Sequence, residues 1–533
     1  MSNPCNTPPP APCVPNVSDA RVIESFTRRF NAATREALVA IPPHTANGDE
    51  QSYPDKCGTY SKCIKQMGPG KVDLGAFATF KNALNSGSFA DFEAIELGGA
   101  RTLNGPMGSY AYTFCGSDSS QFGDAPSPEN QKTWDVVPPA PALASEAYAT
   151  ELVELYWGSL LRDVAFTSYD KNRIAKEAAK ELSSLPDYAG PTDNNNQVTP
   201  TLLFRGNYAG ETLGPYLSQF LVQPTMLGAL AVHQKYVTYQ AGLDYMTDLS
   251  TWSDVQNGIS TGLENVNDPV QRYLHNGRGL AAFTHVDILF QAYFTAYLVL
   301  ESSNAPVNPG NPYFNSKTQN GFGTFGAPDF AATLAEVAKI AVNEVWYQKW
   351  LVHLRHRPEA GGALVDLIKS GVSFDGKPHD NVLNSKAVRR SYEKYGTYLL
   401  SQAFPEGSPA HPAYPTGHGA VGGACITILK FFFNGDYALP NPLVPSRSGI
   451  KLEAWQGADP LTVNGELHKL AHNISFGHGI HAGIHWRSDT DISMRLGEAV
   501  AISFLQDLAC TYAEPFTVSF AKLDGSVATI SNV

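Results

Sequence analysis

The sequence predicts a mainly α protein, one large helical-bundle unit with a small β-hairpin at its C-terminus. Three observations carry this. Apolar residues recur at near-3.6 spacing in several long runs after residue 144. Alternating runs flank Asp524-Gly525, a hairpin signal that appears only in the tail. Hydrophobic residues make up 43% of the 533 residues, enough for a large buried core.

Taken in order, residues 1–20 are Pro- and Asn-rich and read as a disordered or surface-draped arm. Val22 to Val39 has helical spacing. Residues 21–143 as a whole form an irregular N-terminal covering region, rich in Gly, Pro, Ser and Asn, with short ordered pieces such as Leu74–Asn85. A helical-bundle domain is expected over 144–533. Ser145 caps a helix through Tyr156 and Leu161, with Glu151 and Glu154 near its positive end. Tyr169 to Leu185 is the next helix, stopped by Pro186. Tyr216–Val222 is a short apolar piece. Leu280–Glu301 reads as one long helix, and Asp329–Arg355 as one helix or two in sequence. Lys386–Tyr398, His418–Phe433, Leu467–Ile474 and Ile492–Leu508 complete the bundle. The hairpin pairs Phe516–Phe520 with Ser526–Ser531.

A net charge of −12 argues against nucleic acid as a partner, because phosphate backbones need a basic surface. There is no 18-residue apolar run that would span a membrane. The N-terminus has no charged start with an apolar core, so no secretory signal is recognised and the compartment is left open. Of seven cysteines, five fall before residue 116; Cys5–Cys13 and Cys57–Cys63 are candidate staples of the irregular region.

Three dispersed segments supply the inventory of an oxyanion site: cations, small donors and several histidines. The first is Lys349-Trp-Leu-Val-His-Leu-Arg-His-Arg357-Pro358. Eight residues apart on one helix, Lys349 and Arg357 share a face; alone, the segment also reads as a solvated basic helix end. Trp346 lies one turn before Lys349 and borders the same space, or else packs in the core. The second is His411-Pro-Ala-Tyr-Pro-Thr416-Gly417-His418. Thr416 is placed as an N-cap, and the helix start offers free N–H groups to an anion. His418 at that mouth suits proton transfer. His411 either lines the cavity or serves a turn. The third is His478-Gly-Ile-His481-Ala-Gly-Ile-His485-Trp-Arg487-Ser-Asp489, with Arg487 and Asp489 placed to form an ion pair. Its histidine spacing also admits zinc, though HExxH and a matching carboxylate are both missing.

In this order the segments resemble the vanadium-dependent haloperoxidases, most closely their algal and bacterial bromoperoxidase branch. That family shares a superfamily with the phosphatidic-acid-type (PAP2-like) acid phosphatases. Tyr347-Gln-Lys349 and Arg357-Pro-Glu-Ala match the first block. Glu406-Gly-Ser-Pro-Ala-His411, Gly417-His418 and Gly423-Ala-Cys-Ile-Thr-Ile-Leu-Lys430 match the second. Gly465-Glu-Leu-His-Lys-Leu-Ala471 and Ala482-Gly-Ile-His485 match the third. Leu213-Gly-Pro-Tyr-Leu-Ser-Gln-Phe220 and Leu496-Gly-Glu498 add to the likeness outside the site.

The resemblance implies the helical-bundle fold of that superfamily and a vanadate cofactor. Hydrogen peroxide and a halide, bromide or iodide, are then the substrates and hypohalous acid the product. It implies that His485 ligates vanadium, and that Lys349, Arg357, Thr416 and Gly417 hold its oxygens. His418 is then the acid–base group, and Lys349 also activates peroxide. His411 joins the catalytic set. It implies a homo-oligomer and diffusible organic acceptors.

Two departures stand out. Thr416 replaces the usual serine, keeping the hydroxyl. The family's second arginine, expected six residues before His485, falls on Gly479, or on His478 when counted from Gly477 with one extra residue in the loop; either way it is missing. His478, His481, Arg355 and Arg487 are the groups available to replace it, and His478 is placed in the cofactor-binding set. The alternatives on this scaffold are an acid phosphatase working through a phosphohistidine, with phosphate in the vanadate site, and a non-catalytic oxyanion-binding homologue.

Overall fold

The computed structural model describes residues 20–37, 44–110 and 137–533. The arm at 1–19 and Cys5, Cys13 and Cys115 lie outside them. Helix α1 (Ala20–Ala37) lies against the C-terminal helix, with Arg28 donating to the Tyr512 carbonyl at 2.7 Å. Helix α2 (Glu146–Leu161) begins at Ser145, whose hydroxyl accepts from the Tyr148 N–H. Its glutamates do more than face the helix dipole: Glu151 pairs with Arg355 and Glu154 with Arg487 inside the core.

The run expected as one helix over Leu280–Glu301 is two, α3 (Gly277–Val286) and α4 (Gln291–Ser302), bent by 105°. There is no Pro or Gly at the break. The chain turns where Asp287 becomes extended (ψ 155°) and its carboxylate meets His418. Helix α5 (Ala327–Tyr347) does not continue to Arg355. It loosens into a π-turn at Gln348–His353 and stops at Leu354, whose φ is +45°. Arg357 is therefore the N-cap of the next helix, α6 (Pro358–Lys369), and shares no helix face with Lys349. The helix expected from Tyr169 starts late, at Arg173, where Asn172 caps it.

Helix α7 (Gly417–Phe432) is the axis of the bundle. All its residues after Gly417 are buried. Each fully buried Ile or Leu there contributes about 1.5–3 kcal/mol. It packs against α5, α8 (Val463–Phe476) and α9 (Arg487–Thr511). The α7–α9 crossing is close enough to require glycine. A Cβ on Gly423 would stand 1.9 Å from the Met494 carbonyl oxygen, and one on Gly497 equally close to that of Ala420. Between α8 and α9 the chain forms a second π-turn, Gly477–His481. The tail is the expected hairpin, Thr517–Ala521 paired with Val527–Ser531, with Gly525 at positive φ.

The N-terminal layer braces the segment leading into the site. Lys62 donates to Glu359 (2.5 Å) and to the carbonyls of Glu406 and Ser408, while the Asn104 N–H bonds the Ala410 carbonyl. Cys57 and Cys63 are both free and buried, so that expected staple does not exist. Tyr60, Phe77, Phe80 and Trp350 pack there instead. Among the described residues no single helix is long and apolar enough to cross a membrane.

Candidate active site

The three segments interlock through their backbones. The Ala413 N–H bonds the Arg355 carbonyl at 2.9 Å, the Thr416 N–H bonds that of Asp489 at 3.2 Å, and Arg357 donates to the carbonyls of His411 and Ile484, each at 2.9 Å. Residues more than one hundred positions apart thus meet in one buried pocket at the start of α7.

Lys349 is fully buried. Its ammonium donates to the Pro412 and Ala413 carbonyls (2.7 and 2.6 Å), leaving a third N–H unspent. Burial, and then the nearby Arg357 guanidinium, hold its pKa well below the usual lysine range. Arg357 is likewise depressed by burial, to about 10. Neither cation has a carboxylate within salt-bridge distance among the described residues. Arg357 also donates to Nε2 of His485 at 2.7 Å and to Nδ1 of His411 at 2.9 Å.

His485 sits just before α9. Its Nδ1 faces the Asp489 carboxylate at 2.7 Å, which fixes the proton there and leaves the Nε2 lone pair toward Arg357. Asp489 is held in turn by Arg355 (2.7 Å) and the Trp486 N–H (3.1 Å). Burial, followed by repulsion from Arg357 and Lys349, pushes the His485 pKa well down and keeps the ring neutral. His411 is shifted the same way for the same leading reasons, and its ring lies 4.7 Å from that of Trp346.

His418 is the second residue of α7. Its Nε2 meets Asp287 at 3.1 Å, and its ring lies 3.9 Å from that of His478. The ring of His478 is in turn 5.6 Å from that of His485. Thr416 occupies the expected N-cap position, but its hydroxyl caps nothing and is buried without a partner. The first N–H groups of α7 have no helical acceptor. A Cβ on Gly417 would meet nothing within 4 Å, so the helix start opens onto free space.

Several expected placements change. His481 does not share a face with His478 and His485. Its Nε2 bonds the Tyr216 hydroxyl at 2.9 Å, among Phe166 and Phe204. The three imidazoles therefore do not converge on a zinc position. Arg487 pairs with Glu154 rather than Asp489, because Asp489 is already engaged by His485 and Arg355.

No protein-family model matches the chain. Curated relatives do, over nearly its whole length. A vanadium-dependent bromoperoxidase of Ascophyllum nodosum is 32% identical, across 97% of this chain and 93% of the relative. Those of Corallina officinalis and Corallina pilulifera are each 30% identical across 96% of this chain and 98% of theirs. The chain belongs to the vanadium-dependent bromoperoxidase family. The solved homohexameric structure of the second vanadate-dependent bromoperoxidase from Ascophyllum nodosum superposes with a TM-score of 0.87. It is 26% identical and covers 100% of this chain and 94% of that one.

The site chemistry suits the family's cofactor. An orphaned buried hydroxyl on Thr416, an open helix N-terminus at Gly417, the spare N–H of Lys349 and a neutral imidazole lone pair on His485 are what a tetrahedral oxyanion takes up. An anion among these groups also offsets the burial that depresses Lys349 and Arg357 and the repulsion of Lys349 by Arg357.

Within this cluster sequence reasoning missed Asp287 and misplaced Asp489. Asp287 had a signal, being the lone carboxylate in the apolar run from Leu280 to Leu300. Asp489 was visible but assigned to the wrong partner; its spacing of four from His485 was the better clue.

Proposed function

We propose that this protein is a vanadate-dependent haloperoxidase that uses hydrogen peroxide to oxidise halide, bromide or iodide, to hypohalous acid. The observation that carries it is the His485 imidazole, oriented through Nδ1 by Asp489 so that Nε2 keeps its lone pair on the side of Arg357 and Lys349. In this reading Nε2 of His485 is the vanadium ligand. Lys349, Arg357, the Thr416 hydroxyl and the Gly417 N–H hold the oxygens. When bound, vanadate supplies a Lewis-acid centre that makes peroxide electrophilic toward halide without a change in the metal's oxidation state.

The chain's own groups handle protons and exclude water. His418, steadied by Asp287, takes and returns a proton at its imidazole as peroxide enters and water leaves. Lys349 adds positive charge in a dry pocket, where it counts for more than in water. His411 and Trp346 form the wall toward the N-terminal layer; Trp346 donates there to the Asn104 and Gly105 carbonyls. Phosphate has the same shape as vanadate and competes for the same groups.

Halogenation of a phenolic trap tests the reading: purified protein is preincubated with orthovanadate, then given peroxide and bromide, with a parallel sample in excess phosphate. Turnover that needs vanadate and falls with phosphate is expected. Phosphate-ester hydrolysis without halide oxidation would transfer the site to the phosphatase reading. The protein is expected to be a homo-oligomer, as its hexameric structural neighbour is, and light scattering of the purified protein checks this.

A further inference from the structure

The Gly477–His481 π-turn brings His478 against the rings of His418 and His485, and the donor on this side of the site is identified by elimination. Position 479, six residues before His485, carries no side chain and leaves little room for one. A Cβ on Gly479 would press 3.3 Å from the Cβ of His485, and its carbonyl already accepts the N–H groups of Gly483 and Ile484, each at 2.9 Å. That residue is the floor of the loop. His481 is spent on Tyr216. Arg355 is spent on Asp489 and Glu151, and Arg487 on Glu154. His478 remains. It is packed between the rings of His418 and His485, and its Nδ1 is buried with no hydrogen-bond partner among the described residues.

We propose that His478 is the fourth side-chain donor of the oxyanion site, beside Lys349, Arg357 and Thr416, delivered there by the extra residue that the π-turn absorbs. This rests on the haloperoxidase reading above. A π-turn is how a helix takes in one added residue without shifting the rest of the chain, and such turns concentrate at functional sites. One residue corresponds to about 100° of helix rotation. With the insertion, position 478 faces the pocket while His485 keeps its place on Asp489. A neutral imidazole offers one N–H donor, enough to bond a cofactor oxygen.

The test uses the full-length protein and measures vanadate binding directly, by equilibrium dialysis with the vanadium-51 resonance of the bound ion as a second readout. His478→Ala is expected to weaken binding at least 10-fold and to move the resonance, with the unfolding midpoint unchanged. His478→Gln, which keeps an N–H donor, is expected to recover most of the affinity. His485→Ala is the control and is expected to bind no vanadate. Unaltered affinity and resonance in His478→Ala, with His485→Ala inactive in binding, would overturn the role of His478 alone. Full binding by His485→Ala would overturn the underlying site reading instead.

Discussion

Among the described residues, two long helices of this bundle end in a π-turn, and the two endings handle charge in opposite ways. The first, at Gln348–His353, presents Lys349, and Arg357 comes a few residues later; both are buried against carbonyls and imidazoles, with no carboxylate partner. The second, at Gly477–His481, leads to His485 and Arg487, each fastened by a carboxylate, Asp489 and Glu154. Arg355 makes the contrast within a single segment. It lies two residues from Arg357 yet points to Asp489 and Glu151. Buried cations with carboxylate partners hold the protein together. Lys349 and Arg357, which have no such partner, carry a cost in burial that their lowered pKa values register.

The comparison fixes which variants should break what. The largest effect is expected from His485→Ala, which should reduce vanadate-dependent halide oxidation to background while leaving the fold intact by circular dichroism. Next is Arg355→Met. It leaves Asp489 and Glu151 buried without a cationic partner, so a stability loss of about 3–5 kcal/mol in urea unfolding is expected. Lys349→Ala and Arg357→Ala should do the reverse. Each should lower kcat/KM by about 100- to 1,000-fold, on the order of 3–4 kcal/mol, with little loss of stability. If Arg355→Met proved neutral and Lys349→Ala unfolded the protein, the division between the two kinds of cation would be wrong.

A buried histidine outside the site sharpens the same idea through pH. Both nitrogens of His472 face carboxylates, Glu211 and Asp491, and despite burial these raise its pKa to about 9. A raised folded-state pKa gives stability that is full below the unfolded value near 6.5 and is lost as pH rises through 9. The loss is on the order of 3 kcal/mol. His472→Gln should flatten that alkaline limb in a Tm-versus-pH series. On the acid side, burial holds His353, His356, His468 and His481 near 3. Their depressed values mean that stability falls as pH drops below about 6.5 toward 3, and no single substitution should remove it. The smallest effect is expected at Thr416. Thr416→Ser should be close to neutral, whereas Thr416→Val should weaken vanadate binding about 10-fold by removing one donor.

Much of this was legible in the chain. The apolar run after Gly417 gave α7, Ser145 gave the start of α2, and Asp524-Gly525 gave the hairpin, because each is a local pattern with a local cause. The bends were not legible. The α3–α4 break has no Pro or Gly to announce it; it falls where Asp287 meets His418, a residue 131 positions away. Likewise, local preference allowed α5 to run on to Arg355, and packing of Trp350 against Tyr60 and Phe80 accompanies the π-turn that ends it.

The sequence by itself determined the fold class, the three segments of the site and the family they resemble, since periodicity and short ordered motifs are properties of the chain alone. Only the tertiary structure decided which cations face the pocket. A guanidinium's role depends on whether a carboxylate lies within reach, and the partners of Arg355, Arg357 and Arg487 are brought from segments 54 to 333 residues away.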